Sequence, residues 1–308
     1  MSIYYNNQIE ILNNESLYYE GIEATEKALE ICRKMDKSID RKFDIFVYWI
    51  GDNVNYKHSV VLKSFLATQN LENATLKIYS DMDLSNNKFF ERYKNFKQIE
   101  FHIFDVESEI IGTKYESFRY INEIKMHRFN AAYESDFFRL LMLHKFGGFY
   151  IDFDVILLRD LSPLLEYDFL YQWGAYPNNM INGAIMHLKK DSNVNKALTN
   201  AILNTPAISG LASVTWASTL YLTVKPNCPD LIIFPAAFFN SEWQSSCHVN
   251  LGHLLEPLKK HEYSNMLYDG CFTWHWHNRW GEEIEEGSKF NILDKKLESK
   301  FLNHFYEK

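Results

Sequence analysis

The sequence predicts an α/β fold: a single, mostly parallel sheet flanked by helices. Strand-like and helix-like segments alternate through the first half, as in chains that build parallel sheets. The strand-like segments are dense apolar runs, the mark of strands covered on both faces. With only 12 Gly and 7 Pro in 308 residues and no repeat or low-complexity linker, one compact unit over 1–308 is expected.

Taken in order, residues 16–35 read as a helix that Ser16 caps, with Tyr19, Ile22, Ala28, Leu29 and Ile31 on its apolar side. This is the main element of an N-terminal helical segment over 1–40. FDIFVYWIG (43–51) is an apolar run stopped by Gly51, a buried strand. A helix near 55–69, a strand at 75–80, a polar helical stretch and a strand at 98–104 follow. A long helix spans 125–146, ended by Gly147 and Gly148 in the manner of a left-handed C-cap. FYIDFDVILL (149–158) then reads as one strand interrupted by two carboxylates. The second half offers strands at 168–173, 182–188 and 231–237 and helices at 191–204 and 213–224. Its C-terminal segment, 240–308, holds a Trp- and His-rich stretch at 270–280 and a final helix at 294–306.

Composition narrows the function. The net charge of −8 and the lack of a basic tract argue against a nucleic-acid partner. An acidic chain also repels phosphates, so a diphosphate ligand calls for a cation in between. Aromatic residues reach 16%, more than a core alone asks for, and suit flat ligands such as bases and sugar rings. Cys32, Cys228, Cys247 and Cys271 form no Cys-x-x-Cys pair and read as reduced thiols. The N-terminus lacks the pattern of a secretory signal, and no apolar run reaches membrane-spanning length. A cytoplasmic protein is expected, with association at the inner face of a membrane left open.

The chemistry centres on Asp152 and Asp154. In an extended chain, residues two apart point to one face. Two carboxylates there repel unless a cation or proton lies between them. Mn²⁺ or Mg²⁺, with hard oxygen ligands, answers both charges and can bridge to a diphosphate. The spacing recurs in Asp81-Met82-Asp83, within a polar turn, so context must decide. Asp81 ends a predicted strand, within reach of a nucleotide. Upstream, Asp136 and Arg139 are three apart on the long helix and share a face, as an ordinary surface ion pair also would.

The block AAYESDFFRLLMLHKFGGFYIDFDVILL (131–158) resembles glycosyltransferases that share a sugar-binding region containing a DXD motif. They include initiating mannosyltransferases of the yeast type, α-1,4-galactosyltransferase-like enzymes and the catalytic domains of large clostridial glucosylating toxins. Their pattern is Ser-Asp-x-x-Arg, a helix, Gly-Gly-x-Tyr, then Asp-x-Asp, and all of it stands here in order. Weaker resemblances lie in Val47-Tyr48-Trp49-Ile50-Gly51, in Asn182-Gly183 before a strand, and in WHWHNRW (274–280). In that last stretch His275 falls on a family histidine, Arg279 replaces a serine and His277 is additional.

The resemblance implies a GT-A type nucleotide-sugar-binding fold whose C-terminal segment closes the site. It implies transfer of a hexose, with retention, from a nucleotide-sugar donor, commonly a UDP-sugar, to a glycan, lipid-linked or protein acceptor. Asp152, Asp154, Asp136 and Arg139 would be the catalytic set. Asp152 and Asp154 would hold Mn²⁺ or Mg²⁺, joined by His275 or His277. Trp49 would stack on the donor base. Asp136, Arg139, Tyr150, Asp152, Asn182 and Gly183 would complete the donor site, and Arg279 could contact the diphosphate. Two other classes share parts of this pattern: a metal-dependent phosphohydrolase or nucleotidyltransferase, and a non-catalytic carbohydrate-binding protein.

Overall fold

A computed structural model describes residues 15–118, 121–125, 131–174, 181–204, 224–246, 256–261 and 269–306. Nine strands lie among them: β1 Phe43–Trp49, β2 Ala74–Ser80, β3 Ile99–Ile103, β4 Gly148–Ile151, β5 Val155–Leu157, β6 Asp168–Gln172, β7 Ile181–Leu188, β8 Leu231–Phe234 and β9 Thr273–His275. The helices are α1 Ile22–Lys34, α2 Tyr56–Thr68, α3 Val106–Ile110, α4 Ile121–Lys125, α5 Ala131–Phe146, α6 Asn193–Asn204, α7 Ser241–Ser246 and α8 Lys289–Phe305. The predicted helix over 213–224 falls outside the described residues except at its last position. Among the described residues no helix is long and apolar enough to cross a membrane.

Seven strands form the predicted, mostly parallel central sheet in the order β3-β2-β1-β4-β7-β6-β8. Every neighbouring pair is parallel except the two that β7 makes, with β4 and with β6. The order reverses beside β1, which has β2 on one side and β4 on the other. The carboxyl ends of β1 and β4 therefore flank a switch point, where open α/β sheets leave a crevice for ligands. Asp152 follows β4 directly. Because β7 runs the other way, it starts at that same end and brings Asn182 and Gly183 to Asp152.

The central strands are apolar on both faces because both faces are covered. Ile45, Val47, Phe149 and Ile151 point to one side, where they share a core with Leu29, Phe65 and Phe301. Phe46, Tyr48 and Tyr150 point to the other, against Phe137, Phe138 and Leu141 of α5. Each such side chain, fully buried, contributes about 1.5–3 kcal/mol. Cys32, Cys228 and Cys271 are free thiols buried in these layers. Gly147 and Gly148, at φ 70° and 100°, turn the chain from α5 into β4. A Cβ on Gly148 would stand 2.6 Å from the Asp44 carbonyl oxygen in β1, so no larger residue passes there.

Three expectations need correction. The helix predicted over 16–35 is a short 3₁₀ turn, Glu15–Tyr18, followed by α1; Gly21, at φ 118°, separates them. The single strand predicted over 149–158 is two strands in two sheets. β4 ends at Ile151, and the Val155 amide donates to the Asp152 carbonyl at 3.1 Å, closing a tight turn. Phe153, at the turn's centre, is buried between Trp49 and Phe90, so hydropathy showed no break. β5 then leaves the main sheet to pair with β9 in a two-stranded ribbon beside it. The polar stretch between β2 and β3, expected to be helical, forms a series of turns instead. Elsewhere the predicted elements that fall on described residues stand within a few residues, except that the last helix starts earlier, at Lys289.

Candidate active site

The Asp152–Asp154 turn is built from both sheets. The Asp152 amide donates to the Ala184 carbonyl of β7 at 2.8 Å. Asp154 is anchored by the ribbon: its carbonyl accepts from the Trp276 amide at 3.1 Å, and β5 pairs Val155 with His275. That pairing sets His275 Nε2 3.0 Å from Asp154 Oδ2. The Asn278 amide donates to the same oxygen at 2.7 Å. His277 and Asn278 both adopt left-handed backbone, φ 57° and 58°, which folds the chain back over the carboxylate.

One oxygen each from Asp152 and Asp154 and one nitrogen of His275 lie within 4.8 Å of one another. Metal–ligand bonds of about 2.1 Å place adjacent octahedral ligands about 3.0 Å apart, which is the Asp154–His275 spacing. Two carboxylates and an imidazole are a donor set that Mn²⁺ or Mg²⁺ accepts. The residues present therefore fit the predicted cation. Burial works to raise the Asp154 carboxyl, but His275, His277 and the Asn278 amide outweigh it and hold it below its ordinary value. Burial works against charge on His275, and Asp154 reverses this and raises it. His277, by contrast, is driven well down by burial and by His275. Its Nε2 is 2.7 Å from Asn240 Nδ2, so of the two predicted histidines His275 is the one that joins the carboxylates.

On the helix side, α5 presents Ser135, Asp136 and Arg139 toward β4. The Arg139 Nη2 donates to Ser135 Oγ at 2.6 Å and to Asp152 Oδ1 at 3.1 Å, and lies 3.1 Å from Asp136 Oδ1. The pleat that turns Tyr150 toward α5 puts its ring under the guanidinium, 4.4 Å to the centroid. Its hydroxyl donates to Asp152 Oδ1 at 2.6 Å. Burial alone opposes the Arg139 charge, yet Asp152, Tyr150 and Asp136 hold it above its ordinary value. Burial pushes Asp136 up to about 7; Arg139 pulls it back and Asp152 adds to the rise. One Asp136 oxygen faces Arg139, while Oδ2 is buried with no partner among the described residues. A buried oxygen in that state suits a ligand hydroxyl, because leaving it unmet costs about 1–3 kcal/mol.

A cavity of about 260 Å³ opens here. Asp136, Arg139, Asp152, Asn182, Gly183, His275 and His277 all line it. Tyr150 lies beneath, and Asp154 is buried behind His275. Trp49 is not among the lining residues. Its ring packs edge-on against His58 at 4.3 Å, Trp280 at 4.9 Å and Phe153 at 6.2 Å. Arg279 lies 3.3 Å from Glu282 in an ion pair. The second Asp-x-Asp splits its roles: Asp81 accepts from the Gly51 amide at 2.8 Å across the β1–β2 ends, and Asp83 caps Ser85 on the surface.

The chain's own residues go beyond the sequence reading. Ser135 and Asn278 stood inside recognised motifs, yet their contacts were invisible. Lys57 carried no signal at all: its buried Nζ donates to the carbonyls of Arg279 at 2.9 Å and Trp280 at 2.8 Å, and to that of Glu282. That clamp fixes the Trp-His segment onto the start of α2.

Residues 40–170 match the family described as glycosyltransferase sugar-binding region containing DXD motif. Over that stretch the chain is similar to the DXD-containing glycosyltransferases. Among solved structures, this chain resembles GlyE of Streptococcus pneumoniae TIGR4, at 11% identity and a TM-score of 0.51, over 87% of this chain and 64% of that one. The likeness concerns the fold, and the chain spans less than two thirds of the GlyE chain. It is also similar to the PaToxG glycosyltransferase, at 15% identity over 67% of this chain and 77% of that one, TM-score 0.45. An active-site mutant of LgtC aligns at 13% identity over 82% of this chain and 95% of that one, TM-score 0.42. No curated protein matches this chain.

Proposed function

We propose that this chain is a glycosyltransferase that moves a hexose from a UDP-sugar to a hydroxyl acceptor, with retention, and depends on Mn²⁺ or Mg²⁺. The observation that carries the reading is the convergence of Asp152, Asp154 and His275 within 4.8 Å, at the switch point of the sheet. Asp154 and His275 are the ligands held most firmly, each fixed from the β5–β9 ribbon. Asp152 shares its charge between that set and Arg139. When bound, a divalent cation stabilises the negative charge that grows on a departing diphosphate.

The remaining work falls to the chain. Arg139 and the Tyr150 hydroxyl lock the Asp152 carboxylate in one orientation, a preorganisation that costs nothing at the moment of reaction. The unpaired Asp136 Oδ2 accepts a hydroxyl of the donor sugar. Asn182, whose Oδ1 is taken by the Ala184 amide at 2.7 Å, keeps its NH₂ to donate to the same ligand. Trp49, beside Asp81 at the β1–β2 ends, is the proposed base-side residue.

The test is release of nucleoside diphosphate from a panel of UDP-sugars and one GDP-sugar. Release from one donor that stops with chelator and in Asp154→Asn supports the reading. Release that persists in both would remove the cation from it, and an inverted product anomer would remove retention.

A further inference from the structure

A second cavity, of about 400 Å³, opens at the end of the sheet away from Asp152. β1 and β4 begin there, at Phe43 and Gly148, and β7 ends there, at Leu188. None of the roles above uses it. Its volume falls in the range of about 300–1,000 Å³ typical of small-molecule sites.

The walls carry a charge opposite to that of the whole chain. Arg41 and Lys42 lead into β1, and Lys189 and Lys190 lead out of β7; Asp44 is the one acid among the described lining residues. On a chain of net charge −8, four cations around one opening make a local basic field. Two of them are engaged within the protein. Arg41 Nη2 donates to the Leu165 carbonyl at 2.8 Å and lies 3.4 Å from Glu166. Lys189 Nζ donates to the Glu166 carbonyl at 3.1 Å and lies 3.6 Å from Asp168. Asp44 is engaged as well, by Lys77 at 2.9 Å. Lys42 and Lys190 are exposed and have no polar side-chain partner among the described residues.

The wall also holds one buried polar side chain. His187 lines the cavity while being 2% exposed. Its Nδ1 sits 2.5 Å from the Tyr167 carbonyl, which can only accept, so Nδ1 carries the proton. Burial keeps the ring from taking a second. Nε2 is thus a bare acceptor, without a partner among the described residues.

These features select a ligand. Two unengaged ammonium groups match the charge of about −1.5 to −2 on a phosphate monoester at neutral pH. The carboxyl end of α5 reaches the same wall at Phe146 and Gly147 and opposes an anion, but it carries only about half an elementary charge. A bare acceptor nearby calls for a donor on the ligand. A phosphate ester with a free hydroxyl brings both charge and donor, whereas sulfate brings charge alone. Phe146, 45% exposed, offers an apolar surface to the carbons of the ester.

We propose that this cavity binds a hydroxyl-bearing phosphate ester, its phosphate held by Lys42 and Lys190 and its hydroxyl donating to His187 Nε2. The site lies apart from the donor site and stands independently of the transferase reading. A soluble ester and the headgroup of a phosphorylated lipid share this chemistry.

Calorimetry on the full chain tests it, with EDTA present so that no divalent cation draws phosphate to the donor side. The probes are sn-glycerol 3-phosphate and sulfate at matched ionic strength. Co-sedimentation with phosphatidylcholine vesicles, with and without phosphatidylinositol 4-phosphate, reads the lipid source. sn-Glycerol 3-phosphate is expected to bind about fivefold or more tighter than sulfate, the effect of one added hydrogen bond. The double variant Lys42→Gln, Lys190→Gln is expected to weaken it by about tenfold or more. Both side chains are exposed, so the variant is expected to melt with the wild type. Sedimentation only with the phosphoinositide, lost in the double variant, assigns the source to a lipid headgroup. Binding of sn-glycerol 3-phosphate without sedimentation assigns it to a soluble ester. The proposal is overturned if neither sn-glycerol 3-phosphate nor the phosphoinositide binds, or if the double variant binds as the wild type does. It is also overturned if sulfate binds as tightly as sn-glycerol 3-phosphate, which would leave a basic surface without a site.

Discussion

A Cβ on Gly183 would stand 2.7 Å from Nη1 of Arg139. The start of β7 thus gives the guanidinium the space in which it reaches Ser135, Asp136 and Asp152. An exposed arginine would swing away from a methyl group, but this one is 6% exposed and held on several sides. Gly183→Ala is therefore expected to shift Arg139 and with it Asp152. Catalysis should fall by about tenfold or more, as small misplacements at a reacting centre do. Thermal unfolding should move by only a few degrees. Donor turnover and a melting curve on the same preparation check both parts.

Arg139 neutralises two carboxylates at once. Arg139→Met is expected to cost about 3 kcal/mol in urea unfolding, the low end for breaking a buried pair. The low end applies because Asp152 is 27% exposed and Asp136, already raised to about 7, can take up a proton. The loss should accordingly be smaller at pH 6 than at pH 8. Arg139→Lys keeps the charge but not the fork that serves Ser135 and both carboxylates, and should recover stability better than activity.

Lys57 holds three carbonyls of the 279–282 turn while being 5% exposed. Lys57→Met strips those carbonyls of their donor. The expected result is about 1–3 kcal/mol of lost stability and faster amide exchange across 275–282. A variant with unchanged exchange there would mean that the segment is placed by its tryptophans alone.

His187 gives a pH dependence whose sign is fixed. Burial pushes it down to about 3, while its Nδ1 sits 2.5 Å from the Tyr167 carbonyl. Between pH 6.5 and that value the unfolded chain carries the proton and the folded one does not. Stability is then complete above about pH 6.5 and falls with acidification, by about 1.4 kcal/mol per pH unit for each such histidine. His58, also pushed down to about 3 by burial, adds to the slope. His187→Asn keeps a donor for Tyr167 and removes the titration. Urea unfolding from pH 7 to pH 5 should show a shallower slope in the variant, even though its overall stability drops.

Much of this was legible in the chain itself. Strands β1 and β2 announce themselves because a strand covered on both faces is an unbroken apolar run. The Ser-Asp-x-x-Arg to Asp-x-Asp order singled out Asp136, Arg139, Asp152 and Asp154, and the first three meet around one guanidinium. The turn at Phe153 was hidden because that residue is buried: a core side chain at the corner of a turn reads like the middle of a strand. Gly21 did mark its break in the N-terminal helix, and the surrounding helical period masked it. The Lys57 clamp joins residues far apart in sequence, and such a meeting leaves no local pattern.

The central claim is that Asp152, Asp154 and His275 hold one divalent cation against a nucleoside diphosphate. Electron paramagnetic resonance of Mn²⁺, titrated in the presence of UDP, tests it without needing the donor sugar or acceptor. The wild type should bind one ion per chain. Asp154→Asn should abolish that binding, His275→Ala should weaken it at least tenfold, and Asp83→Asn, in the exposed second Asp-x-Asp, should leave it unchanged. Equal Mn²⁺ binding by the wild type and all three variants would contradict the account.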